Sequence, residues 1–432
     1  MRNKFLILLS CLLISGHSYA GPKIENWKTA NGANVFYVNA PGLPIVDLRI
    51  VFDAGSARDG DKAGLSGLTN SLLDEGTGTL NADQVAEQFE SLGAQFGAAS
   101  LRDMAMVSIR SLSDNIILDK ALDLFSKVVA NPTLPEKSFQ RNRKAMLVGL
   151  QVASKRPNAI VKKAFYKKVF NAHPYAIDGS GTEESLNNMT RQDALNFHKR
   201  YYVANNATIA IVGEVSRARA EMLAEKVSSG LAKGEKAPEL TKVSALSTGV
   251  VNRIEHKSQQ THILVGQPGM HRGDPDYMTL YVGNHVFGGS GLVSRLSDSI
   301  REQRGLAYSV YSYFSPMREN GPFMMGMQTK NSQADDALAI LNKELKEYVE
   351  KGPSEDELKR SKQNITGGFA LRVDSNKKIT EYIAMIGFYG LPLDYLDTFN
   401  ARVEAVTVEK IKDAFKRRIH PDKLVTVTVG GK

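Results

Sequence analysis

Cysteine is nearly absent from this 432-residue chain, and its single example, Cys11, lies in the first apolar stretch. A disulfide framework and a cysteine-based metal site are therefore excluded. Histidine is scarce too, with eight in all. After His17 they are His173, His198, His256, His262, His271, His285 and His420, and no two stand at i, i+3 or i+4. That spacing removes the helical metal motifs built on paired histidines. No apolar run is long enough to suggest a stable membrane span. A dense Lys/Arg stripe with interleaved aromatics is also missing, so the formal charge of +9 does not indicate nucleic-acid binding. What remains, 42% hydrophobic and 23% charged, suits a globular protein, and the length suits two or more domains.

The first twenty residues form a unit of their own. A basic start (MRNK), an apolar stretch (FLILLSCLLISG) and a small residue closing SYA have the pattern of a signal peptide cleaved after Ala20. The expected location is periplasmic or secreted. The alternative is a lipoprotein anchored at Cys11, which leaves only FLILLS as the apolar segment. Losing Arg2 and Lys4 takes the formal charge from +9 to +7.

The remainder repeats itself. TRQDALNFHKRYYVANNATIAIVG (190–213) and TVEKIKDAFKRRIHPDKLVTVTVG (407–430) each read as a threonine-capped amphipathic helix, a polar turn and an alternating strand closed by glycine. Upstream, LPEKSFQRNRKAML (134–147) parallels PSEDELKRSKQNIT (353–366). An offset of this size means duplicated domains, not a solenoid. The Gly-, Ser-, Lys- and Ala-rich stretch 228–249 reads as the linker between domains 21–227 and 250–432. Strands and helices come in runs without strict alternation, so the fold class is α+β with helices on one face of each sheet.

The stretch AGLSGLTNSLLDEGTGT (63–79) has an apolar helical face in Leu65, Leu68 and Leu72. Gly67, Asn70 and Ser71 stand at i, i+3 and i+4 on another face, the spacing at which a helix can aim three side chains at one metal ion. None of the three is a useful zinc ligand. The FGGSG at 287–291 lacks the Gly-Lys-Ser/Thr ending of a phosphate loop and reads as a flexible turn.

Taken in order, GSARDGDKAGLSGLTNSLLDEGT (55–77), HPYAIDGSGTEESLNNMTRQDALNFHKRYY (173–202), NNATIAIVGEV (205–215) and GMHRGDPDYMTLYVGNHVFGGSGLVSRLSDSIREQRGLAYSVYS (269–312) resemble the pitrilysin/insulinase superfamily of inverted-motif zinc peptidases. The resemblance is strongest to subunits related to mitochondrial processing peptidase. It implies two duplicated halves, each a mainly antiparallel sheet with helices, closing like a clam around a cavity. Active members carry His-x-x-Glu-His on a helix, with a further Glu on a later one. Two histidines and the distal Glu hold zinc, and the motif Glu takes a proton from the bound water, whose pKa the metal lowers.

The shared Gly76-Thr77 turn sets the register. Gly67 and Ser71 then replace the histidines, Asn70 replaces the general base, and the distal Glu falls near Val148 or Gly149. Asp74 and Glu75 close by cannot substitute, since two carboxylates suit harder cations. The resemblance also implies a role for Arg301 and Tyr308, seven residues apart, which match a pair that contacts the substrate carbonyl and supports its oxyanion. Read without the resemblance, Arg301 is a solvated helix residue and Tyr308 packs at a strand start. The expected protein binds no zinc and is no enzyme on its own. It is a non-catalytic subunit that meets a zinc-bearing homologue in a heterodimer, lends it Arg301 and Tyr308, and handles peptide substrates. Two alternatives are a stand-alone peptide-binding or chaperone-like protein, which captures chains by strand addition, and a hydrolase with an unrecognised site.

Overall fold

Alternating apolar residues lay down two sheets, and amphipathic helices cover them. The computed structural model describes residues 23–431; the expected leader, with Cys11 and the bond after Ala20, lies outside the described residues. In the first half, β1 (Glu25–Lys28), β2 (Asn34–Asn39) and β3 (Ile45–Phe52) lead to α1 (Leu65–Asn70). A ribbon of β4 (Gly76–Thr77) and β5 (Leu80–Asn81) precedes α2 (Ala82–Ser91), then β6 (Gln95–Ser100) and β7 (Ala105–Leu112). Five helices follow: α3 (Asn115–Ala130), α4 (Glu136–Ala153), α5 (Pro157–Phe170), α6 (Glu183–Asn188) and α7 (Arg191–Tyr201). The half closes with β8 (Ala207–Gly213) and α8 (Arg217–Ser228).

The second half runs β9 (Val250–His256), β10 (Gln260–Pro268), α9 (Tyr277–Asn284), β11 (Ala307–Phe314) and β12 (Pro322–Lys330). Helices α10 (Ala334–Lys351), α11 (Glu355–Gly367), α12 (Asn376–Tyr389), α13 (Phe399–Glu404) and α14 (Val408–Arg418) then lead to β13 (Val425–Gly431). The first sheet has the order β1-β2-β8-β3-β7-β6 and the second β11-β12-β10-β13-β9. Apart from β1, the two orders are the same when matched element by element. Each sheet is antiparallel except for one pair, β2 with β8 and β9 with β13. Two mixed α+β halves of one topology thus make a clam-like molecule. The repeated threonines cap equivalent helices: Thr190 accepts from the Asp193 N–H and Thr407 from the Lys410 N–H.

Each half keeps most of its helices on one face of its own sheet, but the opposite faces are covered by exchange. Helix α5 packs on β10 and β13 of the second sheet, and α12 packs on β3 and β8 of the first. Phe165, Val169 and Phe170 bury with Leu264, Val425 and Val427, while Ile379, Ile383 and Ile386 bury with Phe36, Val51 and Val212. Polar contacts follow the same seam. Arg49 pairs with Glu381 at 3.0 Å, and Arg318 pairs with Asp53 at 3.3 Å. Asp103 is buried and accepts hydrogen bonds from the Tyr175 and Tyr389 hydroxyls and from the Arg318 backbone N–H.

Between α8 and β9, residues 229–249 form neither helix nor strand. Even so, Leu240, Val243 and Leu246 lie against the cluster around α5. The FGGSG stretch differs from a flexible turn: His285–Gly289 continues α9 as a π-helix. Phe287 and Gly288 are buried there, and the Asn284 amide donates to the Ser312 carbonyl, so packing on β11 holds the segment.

Candidate functional site

Helix α1 forms because its apolar stripe is needed below it: Leu65, Leu68 and Leu72 are all buried. Its first turn is held by Asp59, whose carboxylate accepts from the N–H groups of Gly64 and Ser66 at 2.7 and 2.8 Å. Anions are favoured at this end of a helix. Burial works against the charge and raises the Asp59 carboxyl to about 7.

The three motif positions on this helix are engaged with the protein itself. Asn70 is buried, and its side-chain oxygen accepts a hydrogen bond from the Tyr202 hydroxyl at 3.0 Å. Burial raises the Tyr202 phenol, so it stays a donor. Ser71 donates its hydroxyl to the Leu68 carbonyl at 2.9 Å, and Asn142 on α4 donates to the Ser71 carbonyl at 3.0 Å. Gly67 offers no side chain, and a Cβ there would stand 3.3 Å from the Gly179 carbonyl oxygen. On α4, Val148 is exposed, and a Cβ added at Gly149 would meet nothing within 4 Å. The neighbouring carboxylates are committed as well. Glu75 is paired with Arg141, and burial raises Asp74. Among the described residues, no three His, Cys, Asp or Glu side chains stand together in a way that could hold a metal ion.

Arg301 and Tyr308 lie in the second half. Arg301 belongs to a π-helical turn, Ser297–Glu302, and Tyr308 to the start of β11. The structure brings the two together: the guanidinium carbon sits 5.1 Å from the centre of the Tyr308 ring. Arg301 also approaches Glu302 at 3.4 Å. Tyr308 does not pack at the strand start, being 82% exposed. Among the described residues, no hydrogen bond, ion pair or ring contact joins this pair to Gly67, Asn70 or Ser71. Asp59, Asn142 and Tyr202, which fix the emptied helix, carry no sequence signal beyond ordinary polarity. Only the acid ahead of the apolar stripe hints at a helix entry.

Two family models match in succession. The insulinase model, peptidase family M16, covers residues 34–183, and the peptidase M16 inactive domain covers 188–365. A crystal structure of a peptidase M16 inactive domain from Pseudomonas fluorescens aligns with a TM-score of 0.92 and 37% identity, over 95% of this chain and 98% of that one.

The chain belongs to peptidase family M16. Curated M16 relatives are more distant. An uncharacterized zinc protease of Rickettsia felis is 27% identical over 86% of this chain and 90% of its own. A protein of Helicobacter pylori called the non-peptidase homolog YmxG is 24% identical over 92% of each. The family implies a zinc ion, and the residues at the motif positions of this M16 chain do not fit one. Its motif helix offers a glycine, an amide already bonded to a phenol, and a hydroxyl already bonded to the backbone. It is a non-catalytic member of the M16 family.

Proposed function

We propose that this chain is the exported, non-catalytic subunit of a zinc-peptidase heterodimer, in which it forms half of the chamber and supplies Arg301 and Tyr308 to a zinc-bearing homologue. One asymmetry carries the reading. On the motif helix Gly67 offers no side chain and Asn70 and Ser71 are taken up by internal hydrogen bonds, whereas Arg301 and Tyr308 form an aromatic-cation pair with the phenol 82% exposed. A guanidinium and a phenol both donate to developing negative charge, as an oxyanion site requires. Relatives described as zinc proteases and as a non-peptidase homolog support both kinds of subunit in this family.

The test is co-purification with a zinc-bearing M16 homologue from the same cell, followed by peptidase assay. The complex should cleave peptides, and Arg301→Ala or Tyr308→Phe should lower kcat by about a hundredfold without dissociating it. Full activity of the partner alone refutes the reading. Export is tested by the mass of the mature chain, which should begin at Gly21; a lipidated form beginning at Cys11 marks the anchored alternative.

A second reading, a stand-alone peptide binder, draws on the sheet edges. Strand β6 lies at the edge of the first sheet, and β11 at the edge of the second. An edge strand can pair with an extended peptide. This reading predicts peptide affinity from the isolated chain and no effect of either substitution on a partner's activity.

A further inference from the structure

Helices α4 and α5 part to leave a groove with a cavity of about 720 Å³. Its wall is apolar, with Leu147 and Leu150 from α4 and Ile160 and Tyr166 from α5. Its floor is not. Arg102 lies half-buried with its guanidinium carbon 3.7 Å from the centre of the Tyr166 ring, and its Nε donates to the Tyr175 carbonyl at 3.0 Å. That bond and that stacking fix the fork, yet its terminal nitrogens donate to no protein group and it makes no ion pair among the described residues. Lys162, Lys163 and Lys167 line the same groove, each exposed and each without an ion-pair partner among the described residues. Four cations therefore face two lining carboxylates, Asp178 and Glu183, and Asp178 together with the buried Asp103 lies near enough to act on the Arg102 guanidinium without pairing to it. Asp178 already accepts from the Ser180 N–H at 3.0 Å.

An oriented guanidinium beside apolar wall suits one chemistry above others, a carboxylate attached to an apolar body. The position of the groove says how that body is presented. The 178–183 segment that borders it also runs beside the motif helix, where a Cβ on Gly67 would stand 3.3 Å from the Gly179 carbonyl oxygen. From the opposite half, Tyr313 of β11 is close enough for Tyr166 and Arg102 to influence its phenol, and it stacks on Tyr311 with ring centres 5.8 Å apart. Tyr308 stands five residues up the same strand, roughly 16 Å away at about 3.3 Å per residue. An extended peptide following β11 from Arg301 and Tyr308 would thus pass, about five residues later, Tyr313, whose strand partner Met324 packs in one cluster with the groove's Tyr166.

We infer that the α4–α5 groove is an acidic-residue subsite, in which Arg102, with Lys163 and Lys167 at the rim, holds the carboxylate of a Glu or Asp flanked by apolar residues in a bound peptide. The choice of a peptide as ligand rests on the peptide-handling reading above. The two fail separately: this site is read on the isolated full chain, and the subunit reading is read on a partner's activity.

Fluorescence anisotropy with two labelled decapeptides decides it, one with a central Leu-Glu-Leu and the other with Leu-Gln-Leu. The glutamate peptide should bind at least about tenfold tighter, with an advantage that shrinks as salt rises. Arg102→Gln should abolish that advantage. The double variant Lys163→Glu, Lys167→Glu, confined to exposed positions, should weaken the glutamate peptide about tenfold and spare the glutamine peptide. Should Arg102→Gln fail to fold, the lysine pair decides alone. Equal binding of the two peptides, or a glutamate preference that survives the lysine reversal, overturns the assignment.

Discussion

Asp59 places two opposed effects on one carboxyl. Its hydrogen bonds from Gly64 and Ser66 favour the anion, while burial disfavours it more, and the folded group titrates near 7 against an ordinary 3.8. A raised acid binds its proton more tightly in the folded state. Its contribution to stability is therefore full below about pH 4 and is lost as pH rises through about 7. Between pH 5 and pH 8 the native chain should lose on the order of 2 kcal/mol through this group, and Asp59→Asn should remove that part of the slope. Urea unfolding of both proteins at the two pH values gives the comparison. At Asn70 the effect is steric and polar. Asn70→Leu leaves the buried Tyr202 hydroxyl without its acceptor and Tyr202→Phe leaves the buried Asn70 amide oxygen without its donor, so each should cost about 1–3 kcal/mol. Gly67, Asn70 and Ser71 could be singled out because the resemblance, registered on the Gly76-Thr77 turn, lays a three-residue motif over them. The Tyr202 bond that now occupies Asn70 spans 132 residues, and no local pattern announces such a pairing. Arg102 carries no sequence signal for the same reason: a lone arginine forms no motif, and its setting comes from Tyr166 and Tyr175, which the fold brings to it.

At the scale of elements, the duplication was readable and the exchange was not. Repeated helix-strand segments preserve their capping threonines and closing glycines, and those positions set local geometry. An amphipathic stripe on α5 or α12 says that a helix covers something apolar, but either sheet could serve. The exchange makes specific demands at the contacts. A Cβ on Gly387 of α12 would stand 2.3 Å from the Phe36 ring and 2.6 Å from the Thr208 methyl. Gly387→Ala must therefore push the helix off the first sheet and should cost about 1–3 kcal/mol, despite the better helix propensity of alanine. Phe165, fully buried between α5 and the second sheet, should cost about 3–5 kcal/mol on substitution by alanine. Each loss should be felt by both halves, because each helix is covalently part of one and packed into the other. Unfolding curves taken with a fluorescent reporter in either half should shift together; a shift confined to one reporter contradicts this coupling.

The whole molecule then behaves differently from two lobes on a flexible tether. Residues 229–249 are the covalent bridge, and Lys233, Lys236 and Lys242 within them are exposed to trypsin. Cutting there leaves α5 seated on the second sheet and α12 on the first. It also leaves the Asp103 cluster, where groups from both halves converge on a single buried carboxylate. Separation would have to expose both apolar faces at once, including Phe165, Phe170, Ile383 and Ile386, at roughly 25 cal/mol per Å² of apolar area. It would also strand the Asp103 carboxylate away from two of its three donors. The nicked protein should accordingly elute from gel filtration at the position of the intact chain and part into fragments only in urea. Two peaks under native conditions would falsify the picture of a clasped clam. The same clasp bears on function. A chamber whose halves trade helices is built with its spacing set, so Arg301 and Tyr308 are carried at a fixed distance from the groove beside Arg102. The nicked chain should therefore keep its preference for the glutamate peptide undiminished.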